Sequence, residues 1–357
     1  MKIFMPFLFL LITKIGFPQS YELARVMHID SPIHTLEIDD AASKLYISSK
    51  SGPWVYDFKT NLKHQLRIKL KDSPEFRYYR HNYDEKKIAA ESYSSWTQTS
   101  FSKNGDYLVY FRLQHQYPYI YVYKRKNRRY RLDDIISNVA VPNSVAINDD
   151  FILAVGSGNG TIRLWDLKTK SFIRQMKPKI STGYVGAIRF SDLDQNKIVI
   201  GNGGGESIVI DIRTDSVYNT WKYGMYPVPN TESLMGQSVR ELFFTENDSV
   251  AAISLRNPLF YSLNLWNVYS NEVYQIPLDT LQPISIDKSD QGIFIGGVDG
   301  NVYLLKGKEY QLKALLPSPQ VGLAKINVTK SGAYLVTADS SGIIKVWVQN
   351  EDIRPGK

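Results

Sequence analysis

The chain has no cysteine. That absence excludes disulfides, thiolate metal sites, a cysteine nucleophile and a lipid-modified cysteine anchor together. Histidine is almost as scarce: His28, His34, His64, His81 and His115 are the only five, all in the first third, with no H-x-H or HExxH spacing. A zinc centre would need carboxylates from distant segments, so no metal and no cofactor is expected. The Gly-x-Ser-x-Gly elbow of a serine hydrolase is missing as well, which leaves no catalytic residue to assign. No long segment carries the 3.6-residue period of a surface helix, and after the first residues nothing approaches transmembrane length.

What is present favours strands. Among 357 residues, 43% are hydrophobic and 24 are tyrosine, a type that prefers pleated surfaces. The start differs from the rest: Lys2, an apolar run Ile3 to Ile12, then Lys14 and a short tail to Ser20. A positive start before an apolar stretch this short has the form of a secretory signal peptide. Residues 1–20 are therefore expected to be removed, leaving 21–357 as a secreted, periplasmic or cell-envelope protein. The net charge of +8 becomes +6 once Lys2 and Lys14 are gone, a mild excess that does not call for nucleic acid.

A repeat organises the remainder. Gly158-Asn159-Gly160-Thr161-Ile162-Arg163-Leu164-Trp165-Asp166 is a Gly/Asn turn, then a strand closing on Trp-Asp, and Leu167-Lys168-Thr169 supplies a polar turn. Looser copies sit at Ser51–Thr60, Tyr117–Lys124, Glu206–Asp211, Leu263–Asn267, Asp299–Leu305 and Ser341–Trp347, making seven. Most lie about 40 to 45 residues apart, the period of a four-stranded propeller blade. Upstream of each copy stand two apolar strands around a polar turn, as in Thr99–Phe101 with Tyr107–Phe111 and Ala324–Val328 with Ala333–Thr337.

These residues resemble the WD-repeat family. Trp165-Asp166 carries its signature, Tyr56-Asp57, Ile210-Asp211 and Trp266-Asn267 are relaxed forms, and His34 alone stands near the family's Gly-His position, where the resemblance implies a hydrogen bond within its blade. A quinoprotein-like propeller stays open beside it. The expected fold is all-β, a single propeller of seven four-stranded blades. Tyr21–His28 precedes the first blade as an orphan strand, and little chain follows Trp347, so the resemblance implies that the N-terminal strand completes the last blade and closes the ring.

Other motifs have plainer readings. The clusters Gly156–Gly160 and Gly201–Gly205 lead into strands rather than helices, which makes them turns, not phosphate cradles. Asp192–Asn196 opens like a calcium loop, but Lys197 stands where glycine is needed. The basic run Lys124–Arg129 falls at a turn in the second blade; Tyr123 and Tyr130 beside it offer rings for bases, but a solvated turn is preferred. Two long insertions are blade-to-blade loops, about Ser73 to Ser94 and about Trp221 to Gln237. With the loop after the second strand of the fifth blade, they gather aromatic and arginine residues on one rim: Tyr78, Tyr79, Arg80, Trp221, Tyr226, Arg256 and Tyr261. Such residues dominate binding energy. The function expected is an exported, non-enzymatic scaffold presenting that face to a protein or glycan partner. The alternative is a propeller lyase, lactonase or hydrolase with its site at the channel mouth.

Overall fold

Each of the seven repeats folds as a four-stranded antiparallel sheet in a computed structural model of the chain. The structure describes residues 21–39, 44–49, 51–66, 97–102, 104–112, 119–127, 129–136, 141–180, 183–223, 226–227, 234–235, 238–245, 248–256, 261–276, 278, 281–306, 311–316 and 322–350. Blade 1 runs outward through Ile33–Ile38, Lys44–Ser49, Gly52–Asp57 and Leu62–Gln65. The inner strands of blades 2 to 7 are Thr97–Phe101, Pro142–Ile147, Val185–Phe190, Ser238–Thr245, Pro283–Ser289 and Leu323–Val328. Each inner strand touches those of both neighbours, and the seventh touches the first, so the blades form a ring. Among the described residues there is no α-helix.

Burial follows the radius. Second strands are sandwiched between two blades and read as unbroken apolar runs; Lys197–Asn202 is buried at every position, with Ile198, Val199 and Ile200 at its centre. Outermost strands meet water, and Leu62–Gln65 is exposed throughout. The hydrophobic interior is therefore divided into seven clusters, one between each pair of blades. That division is why period-2 strands at regular spacing, rather than one long apolar segment, specify the fold.

Tyr21–His28 is the outermost strand of blade 7, antiparallel to Ile343–Gln349, with Tyr21 opposite Gln349 and His28 opposite Ile343. Ring closure by the N-terminal strand is thus as expected from the sequence. Tyr21 is 1% exposed, donates its hydroxyl to the Gly332 carbonyl and packs edge-on against Phe294 of blade 6.

The Trp-Asp signature has a local cause. The Asp166 carboxylate accepts the backbone N–H groups of Lys168 (2.7 Å) and Thr169 (3.1 Å), closing the turn to the outermost strand. Asp57, Asp211 and Asn267 hold the same two N–H groups in their own blades. Four residues after each cap, Asn61, Lys170, Asp215 and Asn271 adopt positive φ, between 57° and 62°. Partial burial works against its charge, but those N–H groups prevail and hold the Asp166 carboxyl below the usual range. Asp166→Ala is expected to cost about 1–2 kcal/mol, the penalty for two donors losing their acceptor. Urea unfolding checks this, and an unchanged midpoint would contradict the capping role.

Candidate binding face and central channel

Strand direction sorts the connections. Loops that enter an inner strand and turns between second and third strands leave on one face; the remaining turns leave on the other. Trp221 and Lys222 end the outer strand of blade 4, opposite Ser207 and Glu206, and Arg256 stands opposite Tyr261 at the mouth of the blade 5 turn. Tyr226 begins a two-residue strand paired with Leu234–Met235, a small hairpin inside the second insertion. Tyr78, Tyr79 and Arg80 lie outside the described residues, as does the whole of the first insertion. Trp221 is half-buried, stacked on Trp266 of blade 5 at 6.5 Å and edge-on to Tyr223 at 5.8 Å. It caps the seam between blades 4 and 5 as well as reaching the face. Tyr261 is half-buried at the start of its strand.

Nearer the axis the same face holds a cavity of about 760 Å³, lined by Asn143, Asn159, Tyr184, Gly186, Val239 and Arg240 among others. None was named as a binding residue from the sequence. Three of them, Asn143, Gly186 and Arg240, share a backbone feature. In six of the seven blades the inner strand slips register near its start, leaving one extra residue: His34, Asn143, Gly186, Arg240, Ile284 or Ala324. Such a bulge re-aims a side chain away from the ladder, here Asn143 and Arg240 at the channel mouth in blades 3 and 5. Tyr184 stands over the glycine cluster of blade 4: a β-carbon at Gly203 would lie 2.1 Å from its ring, and one at Gly186 3.1 Å. The glycines therefore turn the strand and seat this tyrosine, which remains 39% exposed.

Further along, the inner strands enclose a channel cavity of about 980 Å³ whose lining includes Glu37, Arg189, Glu241, Asp287, Lys325 and Asn327. Most of these groups stitch neighbouring blades together. Glu241 accepts Ile286 N–H and the Ser285 hydroxyl and pairs with Lys325. Asp287 accepts Val328 N–H (2.7 Å) and the Asn327 amide (2.7 Å), and Asn327 in turn accepts Ile38 N–H (2.6 Å). Glu37 receives the Phe101 N–H of blade 2. Burial within the disc pushes both Glu37 and Asp287 up to about 7, against the opposing pull of those backbone donors and of Arg189.

The basic run occupies a tight turn between Tyr119–Lys126 and Arg129–Ile136, with Asn127 at φ 51°. Arg125 pairs with Asp106 at 2.9 Å and Lys126 reaches Asp133 at 3.7 Å. Tyr123 is 1% exposed, and the Tyr130 hydroxyl bonds Gly105 and Tyr46. Neither ring is free to stack on a base, because both fill the packing around blades 1 and 2. Among the described residues no group of histidine and carboxylate side chains could hold a metal, and no helix is long and apolar enough to cross a membrane.

No protein-family model matches the chain. It is similar to a WD repeat-containing protein 55 homolog of Drosophila yakuba, 21% identical over 208 residues, which is 57% of this chain and 38% of that protein. The match therefore spans well under half of the relative's length. Seven four-stranded blades, Asp-capped third strands, closure through the N-terminal strand and this partial likeness together make the chain a WD-repeat-like β-propeller.

Proposed function

We propose that this propeller is an exported, non-enzymatic scaffold that holds a protein partner on the face carrying its long loops. The observation that supports the reading is a cavity on that face with Tyr184 and Arg240 in its lining, near the strand ends at Trp221 and Tyr261. Loops on a rigid frame are where recognition sits, and this residue set matches protein hot spots more closely than a polar sugar site. Alanine at Tyr226, Arg256 or Tyr261 is expected to weaken partner capture by about 1–3 kcal/mol each with the fold intact. Trp221→Ala should also lower stability, since its ring packs on Trp266. Calorimetry with the captured partner separates the two effects. Unchanged affinity across all four variants would sink the reading.

Export rests on the Lys2 to Ile12 pattern. Terminal sequencing of the protein from its native source should begin at about residues 17–21, and a retained Met1 in a cytoplasmic fraction would contradict it.

A second reading, a channel enzyme, draws on Glu37 and Asp287, since carboxyls held near 7 suit acid–base chemistry. Their engagement with the backbone N–H groups of Phe101, Val328 and Lys288 argues for structure instead. An activity abolished by Glu37→Gln in a folded protein would favour the enzyme.

A further inference from the structure

We propose that the mouth cavity between blades 3 and 5 reads an acidic side chain: an aspartate or glutamate within an extended segment of the partner pairs with Arg240, while a neighbouring apolar residue rests on Tyr184 and Val239. This rests on the reading of the loop-bearing face as the partner surface and says what that surface selects.

Arg240 is the one charged side chain in the cavity's described lining. It is exposed, and among the described residues no carboxylate pairs with it. In the channel, Lys325 pairs with Glu241 and Lys288 with Asp192. Arg240 has no such partner among the described residues, and it occupies a bulge that turns it out of the ladder. A guanidinium offers a planar fork of donors matched to a carboxylate.

The second observation concerns donor polarity. The Asn159 amide oxygen is occupied twice, by the Thr161 N–H (3.2 Å) and the Thr161 hydroxyl (2.7 Å). That fixes which end of the amide accepts and leaves its NH₂ group available as a donor in the cavity's lining. Arg240 and Asn159 thus both present donors, which favours an anion over a cation or a neutral acceptor pair. Around them the wall is apolar: Val141, Val239 and the Tyr184 ring seated over Gly186 and Gly203. An acid next to an aliphatic or aromatic residue satisfies both halves of the wall.

The test is selection of peptides from an N-terminally displayed random library, in which no peptide carries a free terminal carboxylate. The folded chain serves as bait alongside Arg240→Gln, Arg240→Glu and Tyr184→Ala. Peptides selected on the parent should be enriched in Asp or Glu beside an apolar residue. They should bind Arg240→Gln on the order of tenfold more weakly or worse, the range of a lost hydrogen bond to a charged group. Selection on Arg240→Glu should shift toward Lys and Arg, a reversal that a merely structural role would not produce. Because Arg240 is exposed, both variants should melt with the parent. If selected peptides depend on Tyr184 but show no acidic enrichment, or bind Arg240→Gln as well as the parent, the acid-reading pocket is overturned and the face remains a binding surface. If nothing selected depends on Tyr184, Arg240 or Tyr261, both readings fail.

Discussion

Deleting residues 21–30 should open the ring, with a loss of melting temperature on the order of 10 °C or more and a tendency to aggregate. Three contributions combine. Tyr21 is buried among Phe294, Leu335 and Trp347, and removal of such an aromatic alone costs about 3–5 kcal/mol. Ile29 is 1% exposed in the cluster between blades 7 and 1, and its N–H bonds the Gly342 carbonyl at 3.0 Å. The third is the row of backbone groups on Ile343–Gln349 that now pair with Tyr21–His28 and would face water or another chain. Gly342→Ala tests the same seam without deletion. Gly342 sits at φ +96°, and an added β-carbon would lie 1.9 Å from the Ile29 carbonyl oxygen, a backbone atom that cannot swing aside. A truncated chain as stable and monomeric as the parent would refute closure through this strand.

Stability should also rise as pH falls from 8 toward 5. Glu37 and Asp287 have folded-state values of about 7, well above their unfolded ones. Between about pH 4 and pH 7 the folded chain therefore holds more protons than the unfolded chain, and the unfolding free energy declines as pH rises through that window. The expected span is a few kcal/mol for the pair, moderated by the nearby Arg189. Below about pH 4 the trend reverses, because Asp57, Asp166 and Asp211 lie below the usual carboxylate range and lose their charged caps. Glu37→Gln with Asp287→Asn keeps an oxygen for the Phe101 and Val328 N–H groups while removing the charge. That double variant should be more stable than the parent at pH 8, by about 1–3 kcal/mol, and nearly flat between pH 5 and 8. Urea midpoints across pH give the answer; a parent slope of the opposite sign, or one the double variant leaves intact, would contradict the assignment.

The blades were legible because their signals are local. Trp165-Asp166 caps a turn within a few residues, and the variants at Asp57, Asp211 and Asn267 preserve that hydrogen bonding even where tryptophan is gone. Closure was legible because the orphan strand Tyr21–His28 precedes the first repeat. The mouth cavity was not. Arg240, Tyr184 and Asn143 come from three blades, and nothing in their own neighbourhoods marks a bulge; their convergence depends on the ring. The glycines at 201–205 carried half of that information: the turn was apparent, but the tyrosine seated on Gly203 precedes it by a full hairpin. Tyr123 and Tyr130 were ambiguous for a related reason, since an alternating strand does not say which neighbouring blade will cover a ring.

If the protein works through its loop-bearing face, and not through the channel or the opposite face, hydrogen exchange with and without the captured partner will show it. Partner binding should slow exchange at the segments around 141–143, 184–186, 203–205, 238–240 and 256–261, leaving the opposite turns around 192–196 and 268–271 unchanged. Protection confined to those opposite turns, or no protection at the mouth, would contradict it.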